Sequence, residues 1–147
     1  MISLSSLLTL THLIGLALGV GAATVKLTLL LKCGTNQAFV PVYLKVARPV
    51  TRLIILGMIL LTLSGIAWLV LAYRLTPLLL AKIILVGAIW ALGPLIDHVV
   101  EPRFQKLAPA DGAPASPDFT RVHKQYLTLE VVATGLFYVI VVMGVLI

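Results

Sequence analysis

The chain has 147 residues, of which 61% are hydrophobic and 11% charged, and its mean hydropathy is +1.13. Soluble globular chains carry about 25% charged residues, so this composition excludes a soluble domain. The net charge of +6 does not point to nucleic acid, because the basic residues sit beside the apolar stretches and form no patch of their own.

A membrane-crossing helix needs about 20 mostly apolar residues. Four stretches qualify: Leu4–Leu31, Val50–Tyr73, Thr76–Val99 and Leu127–Ile147. The expected fold is all-α: one integral membrane domain over residues 1–147, built as an antiparallel bundle of four transmembrane helices. Lys32, Lys45, Arg48 and Arg52 flank the first connection, and Arg103, Lys106, Arg121 and Lys124 flank the third. Only Arg74 lies in the second, and the ends of the chain carry no basic side chain. The excess of basic residues in cytoplasmic loops places residues 32–49 and 100–124 in the cytoplasm and both termini outside. The expected setting is a bacterial inner membrane, with the lipid bilayer as the main partner.

The first stretch has no basic residue before its apolar run, so it reads as a retained helix and not a cleaved signal peptide. His12, Gly15, Gly19, Ala23 and Lys26 follow the spacing of one helix face. Gly15, Gly19 and Ala23 make a small-residue ladder. Such ladders let another backbone approach, and a flat cofactor against the glycines is the alternative. The single cysteine, Cys33, cannot form an internal disulfide and reads as structural.

The first connection, Lys32 to Arg48, reads as interfacial and without chemistry. Helix two is expected to start after Pro49, with Gly57, Leu61 and Gly65 as a second close-packing face. Trp68 and Tyr73 read as belt residues at the outer interface. Helix three carries Lys82 in its outer half and Asp97, His98 and Glu101 at its inner end, with a bend at Gly93-Pro94. The stretch 106–117 reads as a flexible loop. Ser116-Pro117-Asp118 reads as a helix start, and Glu130 and Thr134 share a face further on.

Two constellations follow. Lys26, Arg52, Asp97, Glu101 and Glu130 come from all four helices at similar depth. They read as a structural charge cluster, or as a proton or ion entry point built on Glu130 and Asp97. His12 and Lys82 lie at comparable depth in the outer half. A neutral imidazole is a common axial ligand for haem iron, and a neutral lysine amine can also ligate iron. His98 and His123 read as interfacial residues.

The stretches HLIG (His12–Gly15), the glycines at Gly19 and Gly21, GMILLTLSG (Gly57–Gly65) and LLLAKIILVGAIWALGPLIDH (Leu78–His98) resemble the four-helix membrane family of HemJ-type protoporphyrinogen oxidases and CopD-like proteins. The resemblance implies haem b held by His12 and Lys82, with Gly15 and Gly19 beside it. It also implies a redox role, either HemJ-like porphyrinogen oxidation or electron transfer with quinone. The chain departs from that family at Leu16, Ala17 and Leu18, where aromatic residues are expected, and at Lys26, where arginine is expected. It has no methionine or histidine cluster of the kind that handles copper. Two further readings stand beside the haem protein. One is a non-catalytic accessory subunit, as a homo-oligomer or within a larger membrane complex. The other is a proton-coupled carrier using Glu130 and Asp97.

Overall fold

The computed structural model describes residues 3–71, 74–110 and 113–146. Tyr73, Asp111, Gly112 and Ile147 lie outside the described residues. Four helices in it are long and apolar enough to cross a membrane: α1 (Leu4–Thr35), α2 (Phe39–Leu71), α3 (Pro77–Leu107) and α4 (Pro117–Leu146). The fold is all-helical among the described residues. α1 packs on α2 and on α4, and α3 packs on α4.

The helix starts follow local chemistry. An N-terminal turn leaves amide donors without helical acceptors, and a hydroxyl can supply one. Ser3 Oγ accepts from the Ser6 amide at 3.1 Å. Thr76 Oγ1 accepts from Leu79 at 3.2 Å, ahead of Pro77 in the first turn. Ser116 Oγ accepts from Phe119 at 3.1 Å, as the Ser-Pro-Asp start predicts.

The first connection is much shorter than expected. α1 runs on to Thr35 and α2 begins at Phe39, so only residues 36–38 join them. Helix two therefore does not wait for Pro49. Pro41 falls in its first turn, where an amide donor would have no helical acceptor. Pro49 lies inside the helix and deprives the Lys45 carbonyl of its usual donor. What offsets that loss is burial: Val40, Tyr43 and Ala47 form one buried stripe across this segment. α3 likewise continues past Pro94 and past Val99 to Leu107. It carries a π-helical turn over Ile96–Val100, in which the Glu101 amide donates to the Ile96 carbonyl.

Two apolar clusters fill the bundle. The larger joins Leu30, Cys33, Val40, Tyr43, Ala47, Ile96, Val100, Phe104, Phe119 and Tyr126. The smaller is Ala23, Met58, Ile89 and Phe137. Nearer the start of α1, the contact with α2 is made by backbone. A Cβ on Gly15 would stand 2.9 Å from Leu61 Cγ and 3.0 Å from the Gly57 carbonyl oxygen. One on Gly57 would stand 2.6 Å from Gly19 Cα. Separations that short force one helix away from the other. Gly65, the other glycine of the expected close-packing face on α2, has open space beside it.

Gly57→Ala is expected to destabilise the protein by about 1–3 kcal/mol, the usual cost of overpacking. Gly87→Ala meets nothing within 4 Å and is expected to leave stability unchanged or raise it. Thermal unfolding of the two variants in detergent checks the contrast.

Candidate functional site

Burying a lone charge in a bilayer costs at least about 2.5 kcal/mol on insertion scales. Lys26 meets that constraint with three acceptors. Its Nζ lies 3.2 Å from Asp97 Oδ1, 3.2 Å from Glu101 Oε2 and 3.0 Å from Glu130 Oε1. Lys26 is 2% exposed, Glu101 5% and Glu130 4%. The ammonium also lies 5.6 Å from the Tyr126 ring centroid, within cation–π range. One residue of α1 is thereby tied to two of α3 and one of α4.

The π turn is part of this geometry. Asp97 lies within it, and Glu101 closes it. π turns inside α-helices are frequent at functional sites. A hydrogen-bonded extension leads away from Glu101. Tyr126 donates to Glu101 Oε2 at 2.8 Å. The Tyr43 and Tyr126 hydroxyls meet at 2.6 Å, and both residues are fully buried. Gln105 Nε2 donates to the other Glu101 oxygen at 3.2 Å.

Four members of the expected charge set, Lys26, Asp97, Glu101 and Glu130, are brought together. The fifth, Arg52, is not. It is exposed and forms no ion pair with these acids. Its neighbour Thr51 points into the bundle, and successive residues on a helix point about 100° apart. The tyrosine pair was missed because Tyr43 reads as part of an interfacial connection. The signal available was the 40–43–47 apolar spacing running through both prolines.

A cavity of about 40 Å3 adjoins the centre. Lys26, Asp97, Glu130, Thr51 and Thr134 line it together with apolar residues that include Met58 and Phe137. Thr51 Oγ1 and Thr134 Oγ1 are buried there without a hydrogen-bond partner.

The outer pair has a different character. His12 Nδ1 lies 2.8 Å from Ser64 Oγ. Ser64 Oγ also reaches the Leu60 carbonyl at 2.7 Å and the Leu61 carbonyl at 3.1 Å. Lys82 lies within electrostatic reach of His12, and its Nζ approaches Gly144 on α4. The glycines do not suit a porphyrin, because the α2 backbone at Gly57 covers the face of Gly15 and Gly19. The cavity beside Lys26 includes neither His12 nor Lys82 in its lining. The residues present do not form a slot for a planar macrocycle between α1 and α2.

The other histidines are not a pair. His98 is exposed and bonds through Nδ1 to the Pro94 carbonyl at 3.1 Å. His123 is buried, against the interfacial expectation, and donates from Nε2 to the Leu30 carbonyl at 2.9 Å. Gly34 makes room for it: a Cβ there would lie 2.8 Å from His123 Cε1.

No family model, curated protein or solved structure matches this chain. Among the described residues, no three or more histidine, cysteine, aspartate or glutamate side chains are grouped so as to hold a metal ion. Between the three carboxylates, the place a cation would take is filled by Lys26 Nζ.

Removing one partner of a buried ion pair costs about 3–5 kcal/mol. Lys26→Met is expected to destabilise by that amount, and Lys26→Met with Glu130→Gln to recover part of it. Arg52→Met is expected to stay within about 0.5 kcal/mol of the parent, as exposed substitutions do. Denaturant unfolding in detergent measures all three.

Proposed function

We propose that this is a multi-pass membrane protein that takes up and releases protons at the Lys26–Asp97–Glu101–Glu130 centre, as a proton-coupled carrier does. One observation carries the reading: a single buried ammonium faces three carboxylates. A purely structural ion pair needs one acid. Three leave a formal charge of −2 when all are ionised, and a bilayer interior does not tolerate uncompensated charge. Protons are the simplest compensation. Intramembrane carboxylates that exchange protons are a recurrent feature of pumps and transporters.

The arrangement of basic residues supports an antiparallel bundle with both termini outside and the connections at 36–38 and 108–116 in the cytoplasm of a bacterial cell. The centre then lies in the cytoplasmic half of the membrane, beside the cavity. Glu130 is the principal proton-carrying group in this reading, because it is buried and lines the cavity. Asp97 is the second, and its side chain is 21% exposed, which gives the centre a route to the interface. Glu101 is held by Tyr126 and Gln105 and acts as the fixed counter-charge to Lys26.

The test is proton movement in vesicles. The protein is reconstituted into liposomes containing a pH-sensitive dye, and an outward potassium gradient with valinomycin sets an inside-negative potential. Inward proton flux above that of protein-free vesicles is expected. It should fall at least tenfold in Glu130→Gln and partially in Asp97→Asn, with Arg52→Gln unchanged. Flux equal to empty vesicles, or unaffected by Glu130→Gln, overturns the reading. A redox haem site at His12 would show itself otherwise, as a Soret band in the purified protein that disappears in His12→Ala.

A further inference from the structure

The chain has 11 lysines and arginines against 5 aspartates and glutamates. Lys26 takes three of those acids, Asp97, Glu101 and Glu130. Asp111 and Asp118 are the acidic side chains left for all the other basic residues. Most of the basic charge is therefore balanced by anions that the chain does not carry. In a bilayer the anions at hand are the phosphates of acidic lipids, which gather at clusters of lysine and arginine beside membrane helices.

At one place basic side chains line a cleft. α3 has 31 residues and is about 46 Å long at 1.5 Å per residue. The hydrocarbon core of a bilayer is about 30 Å thick, so about ten residues extend beyond it. Apart from Lys82, the charged residues of α3 all lie from Asp97 onward, which puts the overhang at the Leu107 end, level with the lipid headgroups. An open cleft of about 260 Å3 is found there, lined by His98, Val99, Pro102, Arg103 and Lys106. His98, Arg103 and Lys106 are exposed, and among the described residues none of them forms an ion pair. His98 Nδ1 bonds to the Pro94 carbonyl at 3.1 Å, which holds its ring beside the cleft.

The two ends of the cleft differ in chemistry. Towards Leu107 stand Arg103 and Lys106. A guanidinium fork matches two phosphate oxygens, and an ammonium adds a point charge. Towards the hydrocarbon, Val99 is 38% exposed and Leu95, one turn further, 45%. Residues four apart share a helix face, so Leu95, Val99 and Arg103 form a strip that passes from apolar to cationic. A free phosphate would use the cationic half alone. A molecule that joins a phosphate to acyl chains would use both halves.

We propose that the cleft between His98, Arg103 and Lys106 holds the phosphate of an anionic glycerophospholipid, with its acyl chains lying along Val99 and Leu95. The site is separate from the Lys26 centre and does not depend on proton exchange there.

The experiment titrates the purified protein in detergent with dioleoylphosphatidylglycerol or dioleoylphosphatidylcholine and follows the unfolding midpoint by intrinsic fluorescence. A ligand that binds only the folded state raises the midpoint. The anionic lipid is expected to raise it by at least about 2 °C more than the zwitterionic one, the scale of a modest ligand effect on a chain of this size. Arg103→Gln with Lys106→Gln should remove at least half of that difference. Lys45→Gln with Arg48→Gln, which takes the same charge from exposed positions of α2, should keep it. If the first double variant does not fold, Lys106→Gln alone serves, and an unchanged difference there overturns the proposal. So does an equal effect of the two lipids on the parent protein. An equal loss in the two double variants also overturns it, because that pattern marks diffuse surface charge. A rise of the same size with glycerol 3-phosphate at the same concentration overturns the assignment to a lipid.

Discussion

The fold depends on the need to place one ammonium where lipid would otherwise surround it. Lys26 meets it by drawing acids from α3 and α4 to a single point. Charge in low dielectric interacts strongly over such distances, so the contact constrains three helices at once. The fourth, α2, contributes no charge to this point and is joined to its neighbours by hydrogen bonds such as Tyr43–Tyr126 and by close packing. α2 reaches α1 through Gly57 against Gly15 and Gly19, a contact of van der Waals kind that depends on the absence of side chains. Apolar faces alone could not specify this arrangement, because in a bilayer leucine is equally at home against lipid and against another helix.

The large aromatic cluster lies on one side of this centre, and the packing is uneven as a result. Tyr43, Phe104, Phe119 and Tyr126 are all buried there, with edge-on ring contacts such as Tyr43 on Phe104 at 5.7 Å between centroids. Towards the start of α3 the side chains are exposed or half-buried, and between Pro77 and Leu95 only Ile89 is fully buried. Lys82 lies on that lightly packed part. The half of the molecule that looks best suited to a cofactor from its residue types is therefore the half with the fewest walls.

Much of the architecture was legible in the sequence. Four apolar runs of membrane length and the Ser116-Pro117-Asp118 start are local signals, and each has its counterpart in the structure. Lys26, Asp97, Glu101 and Glu130 were recognisable because charge in an apolar helix must find a partner. Arg52 was misread with them, since depth along a helix does not fix the direction in which a side chain points. The connection after Lys32 was misread because its prolines suggested a break, whereas Pro41 costs nothing in a first turn and Pro49 is held by the Val40–Tyr43–Ala47 stripe. The glycines after His12 signalled the close approach of another backbone, and Gly57 of α2 supplies it. Thr51 and Thr134 carry no sequence mark that distinguishes them from the threonines that bond to their own helix. Only the three-dimensional accounting of hydroxyl partners separates them.

The π turn in α3 has a mechanical side. Pro94 and Pro102 flank it, and each lacks an amide proton, so the ladder of backbone bonds is thinned twice within a short length. A rod thinned in one place flexes there first. In α3 that place coincides with Asp97. The weakest joint of the helix and one of its ionisable groups occupy the same turn, so any flexing of α3 would alter the distance between Asp97 and Lys26. Shape and charge in this helix are not separate variables.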